Sequence, residues 1–105
     1  MILIFGGTTE GRTAAETLDE AGQPFYYSTR GTLQEVTCRN MTRLTGNMDS
    51  EKIISFCREH DIRLIIDAAH PFAQQLHLNI FLAAKELGST SGTYLSGIIG
   101  GNHLV

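Results

Sequence analysis

Apolar residues in this chain alternate between short unbroken runs and longer stretches with helical spacing. Met1–Phe5 (MILIF) and Arg63–Asp67 (RLIID) show no polar alternation, as expected of strands covered on both faces of a parallel sheet. Pro24–Thr29 (PFYYST) and Met41–Thr45 read as further short strands, the first rich in aromatic and hydroxyl residues. Helical periodicity predicts a first helix over Glu10–Ala21, where Ala14, Ala15, Leu18 and Ala21 form a narrow stripe that can lie close to a sheet. A second helix is expected over Glu51–His60, with Ile53, Ile54, Phe56 and Cys57 on or beside its buried face. A third is expected over Pro71–Leu87, its core face formed by Ala73, Leu76, Ile80, Ala83 (or Ala84) and Leu87.

Local signals place the boundaries. Thr8 or Thr9 is expected to cap the first helix, and Gly22 to stop it. Asp49 or Ser50 suits the cap of the second helix. Pro71 fits the first position of the third, where its missing N–H costs nothing, and Gly88 is expected to end it. Thr32–Asn40 is compatible with a short helix or with irregular chain.

Strands alternating with helices predict an α/β fold, a Rossmann-like three-layer sandwich whose mostly parallel sheet takes the strand order 3-2-1-4. In that order the strand Arg63–Asp67 lies beside Met1–Phe5, and ligands bind where the strand order reverses, outside the carboxyl ends. The turns Gly6–Thr9 and Ala68–Phe72 are therefore expected to face each other across one crevice, with His70 on its wall.

The first of these turns carries the clearest chemistry. A glycine turn from a strand into a helix aims backbone N–H groups outward at the positive end of the helix dipole, which suits a pyrophosphate. Gly6 and Gly11 fit the outer positions of G-x-G-x-x-G, while Thr8 holds the middle one. Gly6, Gly7, Thr8 and Thr9 are thus the candidate phosphate cradle. At the end of the second strand, where NAD-binding folds place a carboxylate, this chain has Ser28, Thr29 and Arg30. Hydroxyl donors and a guanidinium suit the 2′-phosphate of NADP, the alternative being a solvated loop with a chance arginine.

Composition narrows the classes. The 105 residues allow one domain with a modest core. The net charge of −3, with no cluster of Lys and Arg, speaks against a nucleic-acid partner. No apolar run approaches a membrane span, and the N-terminus does not read as a signal peptide, so the expected location is cytoplasmic. Cys38 and Cys57 have no metal spacing and read as free thiols. His60, His77 and His103 likewise lack ligand spacing and are expected to be surface or helix-packing residues; no metal is expected. His70 is the catalytic candidate, as proton donor or substrate-binding group, against a purely structural or cofactor-orienting role at the turn before Pro71.

Taken together, GGTTEGR near the N-terminus and DAAHPFA at positions 67–73 resemble the precorrin-6A reductases of cobalamin biosynthesis. The family's second motif has Thr where Ala69 stands, and Gly46-Asn47-Met48-Asp49 resembles its step before the middle helix. The resemblance implies NADPH-dependent reduction of a ring double bond in precorrin-6A or cobalt-precorrin-6A, a tetrapyrrole-derived substrate. By motif match, Gly6, Gly7, Thr8 and Thr9 meet the pyrophosphate, Ser28, Thr29 and Arg30 the 2′-phosphate, and Asp67–Ala73 the nicotinamide side. The resemblance runs from Met1 to Gly88, the expected NADPH-binding domain. From Ser89 to Val105 the chain has no Lys, Arg, Asp or Glu, although Thr93–Leu95 can form a short strand and the rest reads as loop or a disordered end. The family continues there with a second lobe. On this reading the chain is the cofactor-binding half, inactive alone and prone to self-associate through its uncovered surface. The competing reading is a non-catalytic dinucleotide-binding module. A short-chain dehydrogenase fragment is a third, and it lacks the expected Tyr-x-x-x-Lys pair.

Overall fold

The computed structural model describes residues 1–30, 37–91, 95–98 and 103–104, with side chains up to residue 88. Most of Thr32–Asn40 and Thr93, for which the sequence offered alternatives, lie outside the described residues, as do the side chains of the tail, His103 included.

The elements alternate as β1 (Ile2–Phe5), α1 (Thr9–Glu20), β2 (Phe25–Thr29), β3 (Met41–Thr45), α2 (Ser50–Glu59), β4 (Leu64–Asp67), α3 (Gln74–Ser91), β5 (Leu95–Ile98) and β6 (His103–Leu104). The sheet order is β3-β2-β1-β4-β5-β6, so the expected 3-2-1-4 arrangement is observed and continued beyond β4. Strands β1 to β5 pair in parallel, and β6 runs antiparallel to β5. The register sets Phe5 between Ser28 and Asp67, bringing the ends of β1, β2 and β4 level.

Side-chain alternation along β1 builds a core on each face. Leu3 and Phe5 pack with Ile65, with Ile53 and Cys57 of α2, and with Ile80, Ala83 and Leu87 of α3. Ile4 turns to the opposite face and packs with Phe25, Tyr27 and Ala15 of α1. Ala14 and Leu18 extend the α1 contact, whereas Ala21 is the exposed C-cap rather than part of the stripe.

Helix ends refine several expectations. Thr8 caps α1, its side chain accepting from the Gly11 N–H, and Asp49 caps α2 by accepting from Lys52. Gly22, at φ +70°, closes α1 with its N–H on the Asp19 carbonyl. Two predictions for α3 fail. Pro71 is not the first helical residue, because Pro71 and Phe72 form a turn: the N–H of Ala73 bonds the His70 carbonyl, and that of Gln74 bonds the Phe72 carbonyl. Nor does Gly88 end the helix. It stays out of the left-handed region a glycine stop requires, and α3 continues to Ser91.

Candidate functional site

The carboxyl ends of β1 to β4 open into a cleft of about 640 Å³, at the point where the sheet order reverses around β1. Its walls are Phe5, Gly6 and Gly7 after β1; Ser28, Thr29 and Arg30 after β2; and Gly46–Asp49 after β3. Ala69, His70, Phe72, Ala73, Gln75, Leu76 and Asn79 close the remaining side. The turns after β1 and β4 thus face each other as the topology requires.

The turn after β1 is shaped by close packing. A Cβ at Gly6 would lie 2.2 Å from the Tyr27 ring, and one at Gly11 would lie 2.9 Å from the Gly6 Cα. Only glycine lets α1 approach β1 and β2 this closely. Gly7 has φ +104° with open space around it, and its N–H donates to the Tyr27 hydroxyl over 3.2 Å. Tyr27 is the floor of the turn. Burial pushes its phenol pKa up, against the opposing pull of the Gly7 N–H, so the hydroxyl stays protonated. The sequence marked Tyr27 only as a strand residue.

Thr8 turns inward and does not line the cleft. Its hydroxyl accepts from the Gly11 N–H at 3.1 Å and donates to the Ala68 carbonyl at 2.5 Å, strapping the turn after β1 to the turn after β4. Thr9 is exposed and begins α1, outside the cleft lining. Among the described residues no partner is seen for the N–H groups of Thr9 and Glu10, so the first turn of α1 presents donors to an anion.

At the end of β2, Ser28 and Thr29 are buried and Arg30 is exposed. The Arg30 Nε donates to the Asn47 side-chain oxygen over 3.0 Å, which aligns the guanidinium along the cleft edge. Gly46, at φ +102°, makes the bend that brings Asn47 there. Asp49 also lines the cleft, but its carboxylate is engaged by the Lys52 N–H at 2.8 Å.

The turn after β4 is held by side chains. Asp67 is 2% exposed; one carboxylate oxygen accepts from the Ala69 N–H at 3.2 Å and the other lies 2.5 Å from His77 Nδ1. His77 Nε2 lies 2.9 Å from the His70 carbonyl. Burial pulls the His77 pKa down, but its bonds to Asp67 and the His70 carbonyl, with the Asp67 charge, outweigh this and raise it. His70 Nδ1 accepts from the Phe72 N–H at 3.2 Å, which leaves the ring proton on Nε2. His77 is therefore neither a surface nor a simple packing residue, as its spacing had implied. Its missed signal is its place one helical turn into α3, facing the end of the strand ten residues before it. His60 does pack, bonded to the Tyr26 hydroxyl at 3.1 Å and stacked 4.2 Å from Phe56.

The donor set fits a nicotinamide dinucleotide: amides at a helix N-terminus, a glycine cradle that a Cβ would fill, and a guanidinium at the end of β2. Among the described residues no cluster of three metal-ligating side chains occurs, and no helix is long and apolar enough to cross a membrane.

Comparison with known proteins agrees with this geometry. The chain is 31% identical over 88 residues to cobalt-precorrin-6A reductase of Priestia megaterium, and 35% identical over 92 residues to precorrin-6A reductase of Sinorhizobium sp. These matches cover 82% and 83% of this chain but 34% of each relative, so the chain spans about a third of their length. A solved structure of CobK precorrin-6A reductase superposes with a TM-score of 0.72 at 25% identity, over 92% of this chain and 36% of that one. A leucoanthocyanidin reductase–NADPH complex from Vitis vinifera shares the fold, with a TM-score of 0.70 at 16% identity over 93% of this chain and 35% of that one. The family model described as precorrin-6x reductase CbiJ/CobK matches residues 1–94, and the chain belongs to that family.

Proposed function

We propose that this chain is the dinucleotide-binding half of an NADPH-dependent reductase acting on a ring double bond of precorrin-6A or cobalt-precorrin-6A. The observation that carries the cofactor assignment is Arg30, held by Asn47 at the cleft edge beside Ser28 and Thr29, across from the glycine turn. The N–H groups of Thr9 and Glu10, with the dipole of α1, bind the pyrophosphate. Ser28, Thr29 and Arg30 bind the 2′-phosphate through hydroxyl donors and a guanidinium charge. NADPH supplies the hydride when bound. His70, with its proton on Nε2, acts as a neutral hydrogen-bond donor on the cleft wall, orienting cofactor or a substrate carboxylate. An imidazolium there would have to break the bond from the Phe72 N–H before serving as an acid.

Equilibrium titration of the chain with NADPH and NADH tests the assignment. NADPH is expected to bind more tightly, and Arg30→Ala to reduce that preference by about tenfold, the range for one charge-assisted hydrogen bond. Equal binding of both nucleotides, unchanged by the substitution, overturns it. Incubation with NADPH and precorrin-6A then separates the readings: turnover by the chain alone excludes the non-catalytic module. In the same proposal the protein is cytoplasmic and self-associates through apolar surface such as Leu78, Phe81 and Leu82, each close to half exposed. A monomer by light scattering at high concentration removes the self-association.

A further inference from the structure

We propose that His77 is a positioning residue for the cleft: a doubly protonated imidazolium that ties both ends of the Asp67–His70 segment to α3. The inference builds on the reading of the cleft as a nucleotide site, but its core is hydrogen-bond accounting. His77 Nδ1 faces a carboxylate oxygen of Asp67 at 2.5 Å, and Nε2 faces the His70 carbonyl at 2.9 Å. A peptide carbonyl only accepts, so Nε2 must carry a proton. The Nδ1–Asp67 contact needs one proton between the two groups. An imidazole holds it in preference to a carboxylate, since their ordinary pKa values differ by more than two units. Protons on both nitrogens make His77 a cation beside the buried Asp67 charge.

What this cation holds is the wall of the cleft. Ala69 and His70 line it, and both belong to the segment whose ends His77 grips. The second Asp67 oxygen accepts from the Ala69 N–H, so the same carboxylate fixes the segment from inside. His70 has the opposite protonation requirement, because its Nδ1 must stay bare to accept from Phe72. The two histidines divide the work: His77 charged beneath the turn, His70 neutral on its open side. The charge acting on the His77 ring comes from Asp67 at the end of β4, and the turn faces the ring with the His70 backbone carbonyl, which does not titrate. Loss of one His77 proton at higher pH releases the His70 carbonyl, since the remaining ring proton stays on Nδ1, facing the Asp67 carboxylate.

Ring-nitrogen NMR on the ¹⁵N-labelled chain reads the protonation directly. Both His77 nitrogens are expected to be protonated at neutral pH, and the ring to titrate above the ordinary histidine value of 6.5. A single neutral tautomer at neutral pH overturns the proposal. Amide exchange at Ala69 and His70 and NADPH affinity are then followed against pH in the wild type, His77→Gln and His77→Leu. His77→Leu is expected to speed exchange and to weaken NADPH binding by roughly three- to tenfold at pH below the His77 titration, the range for one or two hydrogen bonds, with a smaller deficit above it. His77→Gln keeps amide donors that do not titrate, so its exchange and affinity should lose the component of pH dependence that the wild type shows. Identical exchange and pH profiles in all three proteins would sink the positioning role. If the wild type binds no NADPH, the functional reading fails, while ring titration and amide exchange still decide the fate of His77.

Discussion

The two turns that face each other across the cleft are built by opposite means. The turn after β1 is a backbone object: Gly6, Gly7 and Gly11 make room, and Tyr27 fills the space beneath them. The turn after β4 is a side-chain object, in which Asp67, His70 and His77 bond its amides and carbonyls to each other and to α3. The first is held by what is missing from it, the second by what is added. Steric exclusion is insensitive to pH, whereas a carboxylate–imidazolium pin titrates. The two sides of one cleft should therefore respond differently to substitution and to proton concentration.

The largest effect is expected from Gly6→Ala. Its Cβ would sit 2.2 Å from Tyr27, which is itself wholly buried and bonded to the Gly7 N–H, so the ring has nowhere to move. We expect a loss of about 3 kcal/mol, the upper end for overpacking, read as a shifted denaturant midpoint. Gly7→Ala meets no atom within 4 Å and should cost less, about 1–2 kcal/mol for backbone strain at φ +104°. If the two substitutions cost the same, exclusion by Tyr27 is not what shapes this turn.

On the other side, Asp67→Asn keeps the volume and removes the charge opposite His77. The expected cost is about 2 kcal/mol at neutral pH, below that of a fully buried pair because His77 is partly exposed. The sign of the pH dependence follows from the raised His77 pKa. The pair's contribution is full below the unfolded histidine value of 6.5 and is lost as pH rises through the higher folded value. Chemical denaturation of wild type and Asp67→Asn should accordingly converge toward alkaline pH. A gap that widens there would reverse the assignment of the proton to His77.

This contrast also explains what could be read from the sequence. The turn after β1 was legible because glycines between an apolar run and a helical pattern leave few alternatives, and the strand order followed from strand–helix alternation. His70 was placed on the cleft wall by the same topology. The start of α3 was not legible, since a proline before helical spacing normally opens a helix; here His70 captures the Phe72 N–H and the Ala73 N–H before the helix can form. His77 was missed for a related reason. Its partners are a strand-end carboxylate and a carbonyl seven residues earlier, a pairing that depends on where the turn brings the chain rather than on spacing. Likewise, Asn47 beside Arg30 required the bend at Gly46 to be seen.

The smallest of these effects should come from the residue that joins the two sides. Thr8 accepts from the Gly11 N–H and donates to the Ala68 carbonyl, so its one hydroxyl caps α1 and straps the turn after β1 to the turn after β4. Thr8→Val keeps the shape and removes both bonds, with an expected loss of about 1 kcal/mol, typical of an N-cap. Thr8→Ser restores the hydroxyl and should recover most of it. If the strap couples the turns, Thr8→Val combined with Asp67→Asn will cost measurably more or less than the sum of the single changes. Strict additivity would mean that the glycine turn and the histidine-pinned turn are stabilised independently, and that they share a cleft without sharing a support.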